Sequence, residues 1–218
     1  MAEGLRELKK RRTRAHIAET ATALFAARGF DRVTMAEVAA AAEVSVNTLY
    51  NYFAAKEDLV LPPDEASPDR LAAIVRERAA GETAAAAVLR RLREELRRRE
   101  RALGLTEGFG RFLEMVRSAP TLTARLEDLA WQMEDALAAL LREETGAAPD
   151  DPLPALVAGQ IGWLHARVLS EIGARTGAGQ EPAAIAEAVL GLLDVIEGLL
   201  GERVLAYAPR ERDRPAVR

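Results

Sequence analysis

The chain has 218 residues, no cysteine, 30 basic against 34 acidic side chains and a formal net charge of −4. Its length suits one large or two modest domains with a real hydrophobic core, and the missing thiols exclude a disulfide scaffold, a thiolate zinc site and a cysteine nucleophile. The two histidines, His16 and His165, lie far apart, so neither a multi-histidine metal site nor any cofactor is implied.

Charge is unevenly placed along the chain. Residues 1–14 carry six basic side chains (Arg6, Lys9, Lys10, Arg11, Arg12, Arg14) and two acidic ones, net +4, while residues 61–218 are net −5. The pattern is a cationic head on an acidic body. No run of 18 apolar residues offers a membrane span. No apolar signal core follows the basic N-terminus, so a cytoplasmic protein without membrane attachment is expected.

Apolar residues recur at helical spacing throughout, and period-two alternation is scarce, which predicts an all-α fold. After a basic arm over residues 1–13, the first helix, from about Leu5 to Arg28, aligns Ile17, Ala21, Leu24 and Phe25 on one face. Gly29 is placed to end it in a left-handed cap, with Phe30 folding back. Thr34 with Glu37 three residues on has capping-box spacing for a short helix over Met35 to Ala42. Ser45 caps another short helix running through Phe53, in which Leu49 and Phe53 face the same core as Val38 and Phe25. Lys56 opens a further helical turn.

Leu61-Pro62-Pro63 breaks the chain, and a loop spans Asp64 to Ser67. A helix from Pro68, capped by Ser67, is predicted to reach about Ala80 before Gly81. A long arginine-rich helix follows over Thr83 to Arg101, in which Arg97-Arg98-Arg99 reads as a solvated face. Phe109 to Arg117 is a short helix. Thr121 to Glu144 is the longest pattern, with Leu122, Leu126, Leu129, Met133, Leu137, Leu140 and Leu141 on a broad face. Two more helices are predicted, about Pro152 to Ala174 and Pro182 to Leu200, with a charged, frayed tail from Pro209. The organisation predicted is a head over residues 1–60, a helical body over 61–208 and a tail over 209–218.

Residues Thr34 to Phe53, two short capped helices joined by a tight turn, have the size of a DNA-reading helix-turn-helix. Helix N-termini offer unpaired amides to phosphate. The second helix opens with small and polar side chains that let the backbone enter a major groove. Asn47 suits an adenine edge, and Thr48 suits a phosphate or a thymine methyl. Tyr50 and Tyr52 carry hydroxyls able to reach phosphate, Tyr52 having packing as its alternative. Lys56 occupies a phosphate-facing position, and Arg11, Arg12 and Arg14 form either a DNA-contacting arm or a solvated tail.

The run HIAETATALFAARGFDRVTMAEVAAAAEVSVNTLYNYFAAKEDLV, over about residues 13–60, resembles the N-terminal domain of the TetR family of transcriptional regulators. The resemblance implies that the Ser45–Phe53 helix enters the major groove. Val46, Asn47 and Asn51 would then read bases, and Thr34, Ser45, Thr48, Tyr50, Tyr52 and Lys56 would hold the backbone. One departure is Glu43, in a turn where many members have glycine. A left-handed backbone there costs an L-residue about 1 kcal/mol.

The resemblance also implies a ligand cavity among the body helices and a dimer made by the last two. Aromatic, Met and polar candidates for a pocket are Phe109, Phe112, Met115, Trp131, Met133, Gln160, Trp163 and His165, each also readable as plain core and Trp163 equally as a dimer contact. Ala158 and Ile161, with Ile185, Val189, Leu192, Leu193 and Ile196, give an apolar stripe that a twofold mate would bury. Packing on the chain's own helices is the alternative. The function expected is a ligand-responsive repressor that binds a pseudo-palindromic double-stranded operator as a homodimer and is released by a small hydrophobic effector. The alternatives are a DNA-binding regulator without a ligand and an all-helical enzyme. The second lacks a catalytic constellation: Asp150-Asp151 stands in a loop with no histidine or cysteine near it in sequence.

Overall fold

The computed structural model of the chain describes residues 2–60, 67–100, 103–105 and 109–210, excluding the side chains of residues 2, 3, 5, 6 and 109–112. Pro62, Pro63, the loop predicted from Asp64 and the side chains of Phe109 and Phe112 thus lie outside the described residues. All regular structure among the described residues is helical, as the periodicity predicts. Two compact units form: residues 1–66 with 111–126, and residues 67–110 with 127–218.

In the N-terminal unit, helix α1 spans Ala2–Arg28, α2 Met35–Ala41 and α3 Val46–Tyr52, followed by a 3-10 turn over Glu57–Leu59. The helix predicted from Leu5 starts three residues earlier. No separate arm precedes it, because the Leu-, Arg-, Lys- and Glu-rich run has high helix propensity and no proline. At its other end Gly29 takes φ 85°, its N–H donates to Phe25 O at 2.8 Å, and the Phe25 and Phe30 ring centroids come to 5.0 Å.

The turn between α2 and α3 explains their crossing. Glu43 adopts φ 54°. The Val44 N–H reaches Ala39 O at 2.9 Å and the Glu43 N–H reaches Ala40 O at 3.2 Å. This is the Schellman pattern, with a glutamate where glycine is preferred. Ile17, Ala21, Phe25, Phe30, Val33, Val38, Leu49, Phe53 and Leu59 are all buried in one core, joined by Val116, Ala119 and Leu122. The latter three come from helices α6 (Phe109–Ser118) and α7 (Pro120–Thr145). Their apolar side chains explain why residues 111–126 belong to the head.

The C-terminal unit holds α4 (Arg70–Arg76), α5 (Ala84–Arg98), the later turns of α7, α8 (Leu153–Gly177), α9 (Pro182–Leu199) and a short α10 (Glu202–Leu205). Helix α4 is shorter than predicted at both ends. The Ser67 hydroxyl accepts from Asp69 N in a turn ahead of it, and Arg78 Nη1 donates to Val75 O at 2.6 Å, ending it before Ala80. Helix α5 stops at Arg98, not Arg101, because Arg99 turns left-handed at φ 51°. Arg97, Arg98 and Arg99 are exposed, as read from the sequence. In the α7–α8 packing, a Cβ on Gly162 would collide with the Glu134 side chain.

The tail departs from expectation. Pro209 and Arg210 belong to a segment that is tied down, not frayed. Gly81 N donates to Arg210 O at 2.9 Å and Arg210 N to Glu82 O at 3.0 Å. The guanidinium of Arg78, only 2% exposed, donates to Ala208 O at 3.2 Å and pairs with Glu144. Residues 211–218 lie outside the described residues.

The left-handed Glu43 yields a direct test. Glu43→Gly should stabilise the head by about 1 kcal/mol in urea denaturation. A less stable variant would show that the glutamate side chain compensates its backbone strain.

Candidate nucleic-acid interface

Helix α3 has two unlike faces. Leu49 and its C-cap Phe53 are fully buried in the head, whereas Val46, Asn47, Tyr50 and Asn51 are exposed on the opposite side. The spacing 46, 50 and 47, 51 puts each pair one helical turn apart. Burial of Leu49 and Phe53 thereby aims a narrow face of one amide pair, one phenol and one small aliphatic group at solvent. No basic side chain lies on this face.

Both N-termini are locked by their own hydroxyls. At α2, Glu37 N donates to Thr34 Oγ1 at 3.2 Å, and Thr34 N donates to Glu37 Oε2 at 2.8 Å, completing the capping box. Thr34 Oγ1 also lies 2.8 Å from Glu37 Oε2. Arg28 Nη2 braces Glu37 Oε1 at 2.6 Å, a partner the sequence reading missed. Its nine-residue separation across the Gly29 turn follows no helical spacing. At α3, Thr48 N donates to Ser45 Oγ at 3.0 Å, and the Ser45 and Thr48 hydroxyls are 2.7 Å apart. Thr34, Ser45 and Thr48 therefore act first as structural caps, with Thr34 and Ser45 exposed at the same time.

The flanking cations are held on aromatic rings. Arg14 Cζ stands 5.0 Å from the Phe53 ring centroid, and Lys56 Nζ stands 4.2 Å from Phe30 and 5.8 Å from Phe25. Such contacts position a cation without neutralising it. Arg12 is exposed on α1, so the basic run rides a helix and not an extended arm. Tyr52 is partly buried against the head core, its packing alternative, whereas Tyr50 is 51% exposed.

The remaining sequence candidates scatter. Met115 packs on the head core. In the C-terminal unit, Trp131 is 68% exposed, Trp163 48% exposed, and Gln160 exposed. Met133 is buried, and so is His165. These residues do not gather into one wall: α7 and α8 turn some of them outward and others inward.

The stripe expected at a dimer contact is corrected more sharply. Ala158, Ile161, Ile185, Val189, Leu193 and Ile196 are buried within the single chain, where α9 packs on α5 and α8, and Leu192 is partly buried. The apolar residues left exposed on these two helices are instead Leu156, Trp163, Val195 and Leu199. On α9 they continue a small-residue line, with Ala184 and Gly191 exposed and Ala188 partly so, at alternating spacings of four and three. That spacing was available in the sequence. The larger Ile and Leu residues beside it masked it.

Residues 17–61 match the family described as bacterial regulatory proteins, tetR family. Over 156 residues the chain is 33% identical to the HTH-type transcriptional regulator TcmR of Streptomyces glaucescens, covering 68% of this chain and 67% of that protein. The chain belongs to the TetR family. It is a DNA-binding transcriptional regulator and not an enzyme. Solved structures share the fold at low identity. One is native NalD of Pseudomonas aeruginosa, described as the secondary repressor of the MexAB-OprM multidrug efflux pump. It has 17% identity and a TM-score of 0.53, covering 85% of this chain and 96% of that one. Another is SmeT in complex with triclosan, with 16% identity and a TM-score of 0.54, covering 93% of this chain and 99% of that one.

The capping box makes the regulator's head acid-sensitive in a defined window. The Thr34 backbone hydrogen bond, then the Arg28 and Thr34 side chains, hold the Glu37 carboxyl at about 2, below its ordinary 4.5. A depressed folded-state value stabilises above the unfolded value, and that contribution is lost as pH falls from 4.5 through about 2. Carboxyl NMR should show Glu37 titrating near 2, and Glu37→Gln should flatten the acid limb of stability in that window. Titration near 4.5 would mean that the box is open in solution.

Proposed function

We propose that this regulator is a repressor that binds a pseudo-palindromic operator as a homodimer and leaves it when a small hydrophobic effector binds the C-terminal unit. The observation that carries the DNA-reading part is the exposed α3 face opposite Leu49 and Phe53. In this reading Asn47 and Asn51 meet base edges, with Val46 against a thymine methyl. Tyr50, Thr34, Ser45 and the α2 and α3 N-termini meet phosphate. Arg12, Arg14 and Lys56 supply positive potential from the sides, and Tyr52 supports α3 from beneath.

Repression and release are supported by likeness of fold to NalD, described as a repressor, and to SmeT, solved with triclosan. An effector acts by binding better to a form whose reading helices are wrongly placed for the operator. Among the described residues no helix is long and apolar enough to cross a membrane, and a DNA-bound regulator would work in the cytoplasm.

The dimer face in this proposal is the outward side of α8 and α9: Leu156 and Trp163 with Ala188, Val195 and Leu199. Small residues on α9 permit close helix approach, and exposed large apolar side chains give the area to bury. Two α3 helices related by a twofold axis would meet two half-sites.

Two measurements test the halves of this reading. In operator selection followed by fluorescence anisotropy, Asn47→Ala should alter the preferred sequence and lose about 1–3 kcal/mol on the parental site. Tyr50→Phe should weaken selected and random DNA alike. An unchanged preference for Asn47→Ala removes Asn47 from the reading set. In sedimentation equilibrium, Val195→Glu with Leu199→Glu should give a folded monomer that no longer holds a two-half-site operator. A persistent dimer would place the interface elsewhere.

A further inference from the structure

Helix α8 buries Val157, Ala158, Ile161, Leu164, Val168 and Ile172 in the C-terminal unit, and His165 falls on this buried side, one turn after Ile161. His165 is 4% exposed. Its Nε2 atom is shut off from solvent and has no hydrogen-bond partner among the described residues. Buried polar atoms are normally partnered. On a sealed apolar face, a leucine would give the same packing without the desolvation cost, so an orphaned imidazole nitrogen there marks a place where something else bonds.

The charged surroundings narrow what that something is. Glu95, 1% exposed, accepts from Arg70 Nη2 at 2.7 Å through Oε2 and from Arg91 Nε at 2.8 Å through Oε1. Both carboxylate oxygens are filled, and the trio keeps one surplus positive charge. Burial, then the Arg70 charge, pushes the His165 pKa down to about 4. The imidazole is therefore neutral at neutral pH and offers one N–H and one lone pair.

We propose that His165 Nε2 is the polar anchor of the effector site and that the ligand it takes is an uncharged aromatic molecule bearing a phenolic hydroxyl. This rests on the reading of the chain as a ligand-responsive regulator. Apolar neighbours on α8 favour a ring. The surplus positive charge opposes a cationic ligand. A carboxylate would be stripped of water beside arginines already committed to Glu95. A hydroxyl satisfies Nε2 in either tautomer, donating to its lone pair or accepting from its N–H. A positive environment favours the phenol as donor, because it stabilises electron density on the phenolic oxygen.

The test uses three probes with the same ring and methyl group: 4-methylphenol, toluene and 4-methylbenzoate. They are titrated into the full-length 15N-labelled protein. With only two histidines in the chain, His16→Gln assigns the imidazole resonances. We expect 4-methylphenol to shift the His165 Nε2 resonance saturably and to bind at least about threefold tighter than toluene, the size of one buried hydrogen bond. We expect 4-methylbenzoate to bind more weakly than 4-methylphenol, and His165→Leu to equalise 4-methylphenol and toluene. If that variant does not fold, the resonance shift in the parent protein decides. Equal affinities in the parent protein, an unmoved His165 resonance, or preference for 4-methylbenzoate would each overturn the proposal. Operator affinity, measured separately, distinguishes the two levels. Engagement of His165 with no loss of operator affinity contradicts the effector reading and leaves the site standing. Release of DNA by another small molecule that leaves His165 unmoved refutes the site and leaves the effector reading.

Discussion

The burial of Leu49 and Phe53 is the constraint on which the reading head depends. A seven-residue helix cannot hold its own shape in water. It is fixed because these two side chains, one turn apart, enter the same core as Phe25, Phe30 and Val38. Once that face is committed, the other face has no freedom: Val46, Asn47, Tyr50 and Asn51 must point outward. The left-handed Glu43 and the Schellman bonds around it set the angle at which α3 leaves α2, and the Ser45 cap fixes where α3 begins. The chemistry offered to DNA is thus a by-product of apolar packing behind it.

The C-terminal unit is organised by buried charge as well as by apolar side chains. Arg78 reaches carbonyls of the α4 end, of Glu82 and of Ala208 while pairing with Glu144. It joins four separate stretches of chain through one guanidinium, a geometry lysine lacks. Arg70 and Arg91 do the same around Glu95. Such networks contribute little net stability over apolar replacements. They do fix which register of helices is allowed, because any shift leaves a buried charge unpaired.

Much of this was legible in the sequence where the signal is local. The Thr34–Glu37 box, the Ser45 cap, the Gly29 terminator and the Glu43 strain all depend on residues within one turn of each other, and each stands as the spacing implied. Signals failed where the deciding partner is distant. The C-terminal end of α4 is set by Arg78 and the ordered tail by its bonds to residues 78–82, and neither leaves a local pattern. Periodicity identified α8 and α9 as apolar but could not say which of two apolar faces turns inward. Ile185, Val189 and Leu193 proved to be core, leaving Val195 and Leu199 outside. Met115 and Trp131 were judged by residue type alone, and type does not encode which unit a helix turn joins.

The chain's lack of cysteine allows a direct test of the claim that α3 lies in the major groove. Asn51→Cys introduces a single thiol on the exposed face, to which an iron chelate can be tethered for localised DNA cleavage on a selected operator. Two cleavage clusters placed symmetrically about the operator dyad, within each half-site's major groove, are the predicted result. Uniform cleavage, or clusters equally strong when the chelate is tethered to an exposed position on α9, would contradict it.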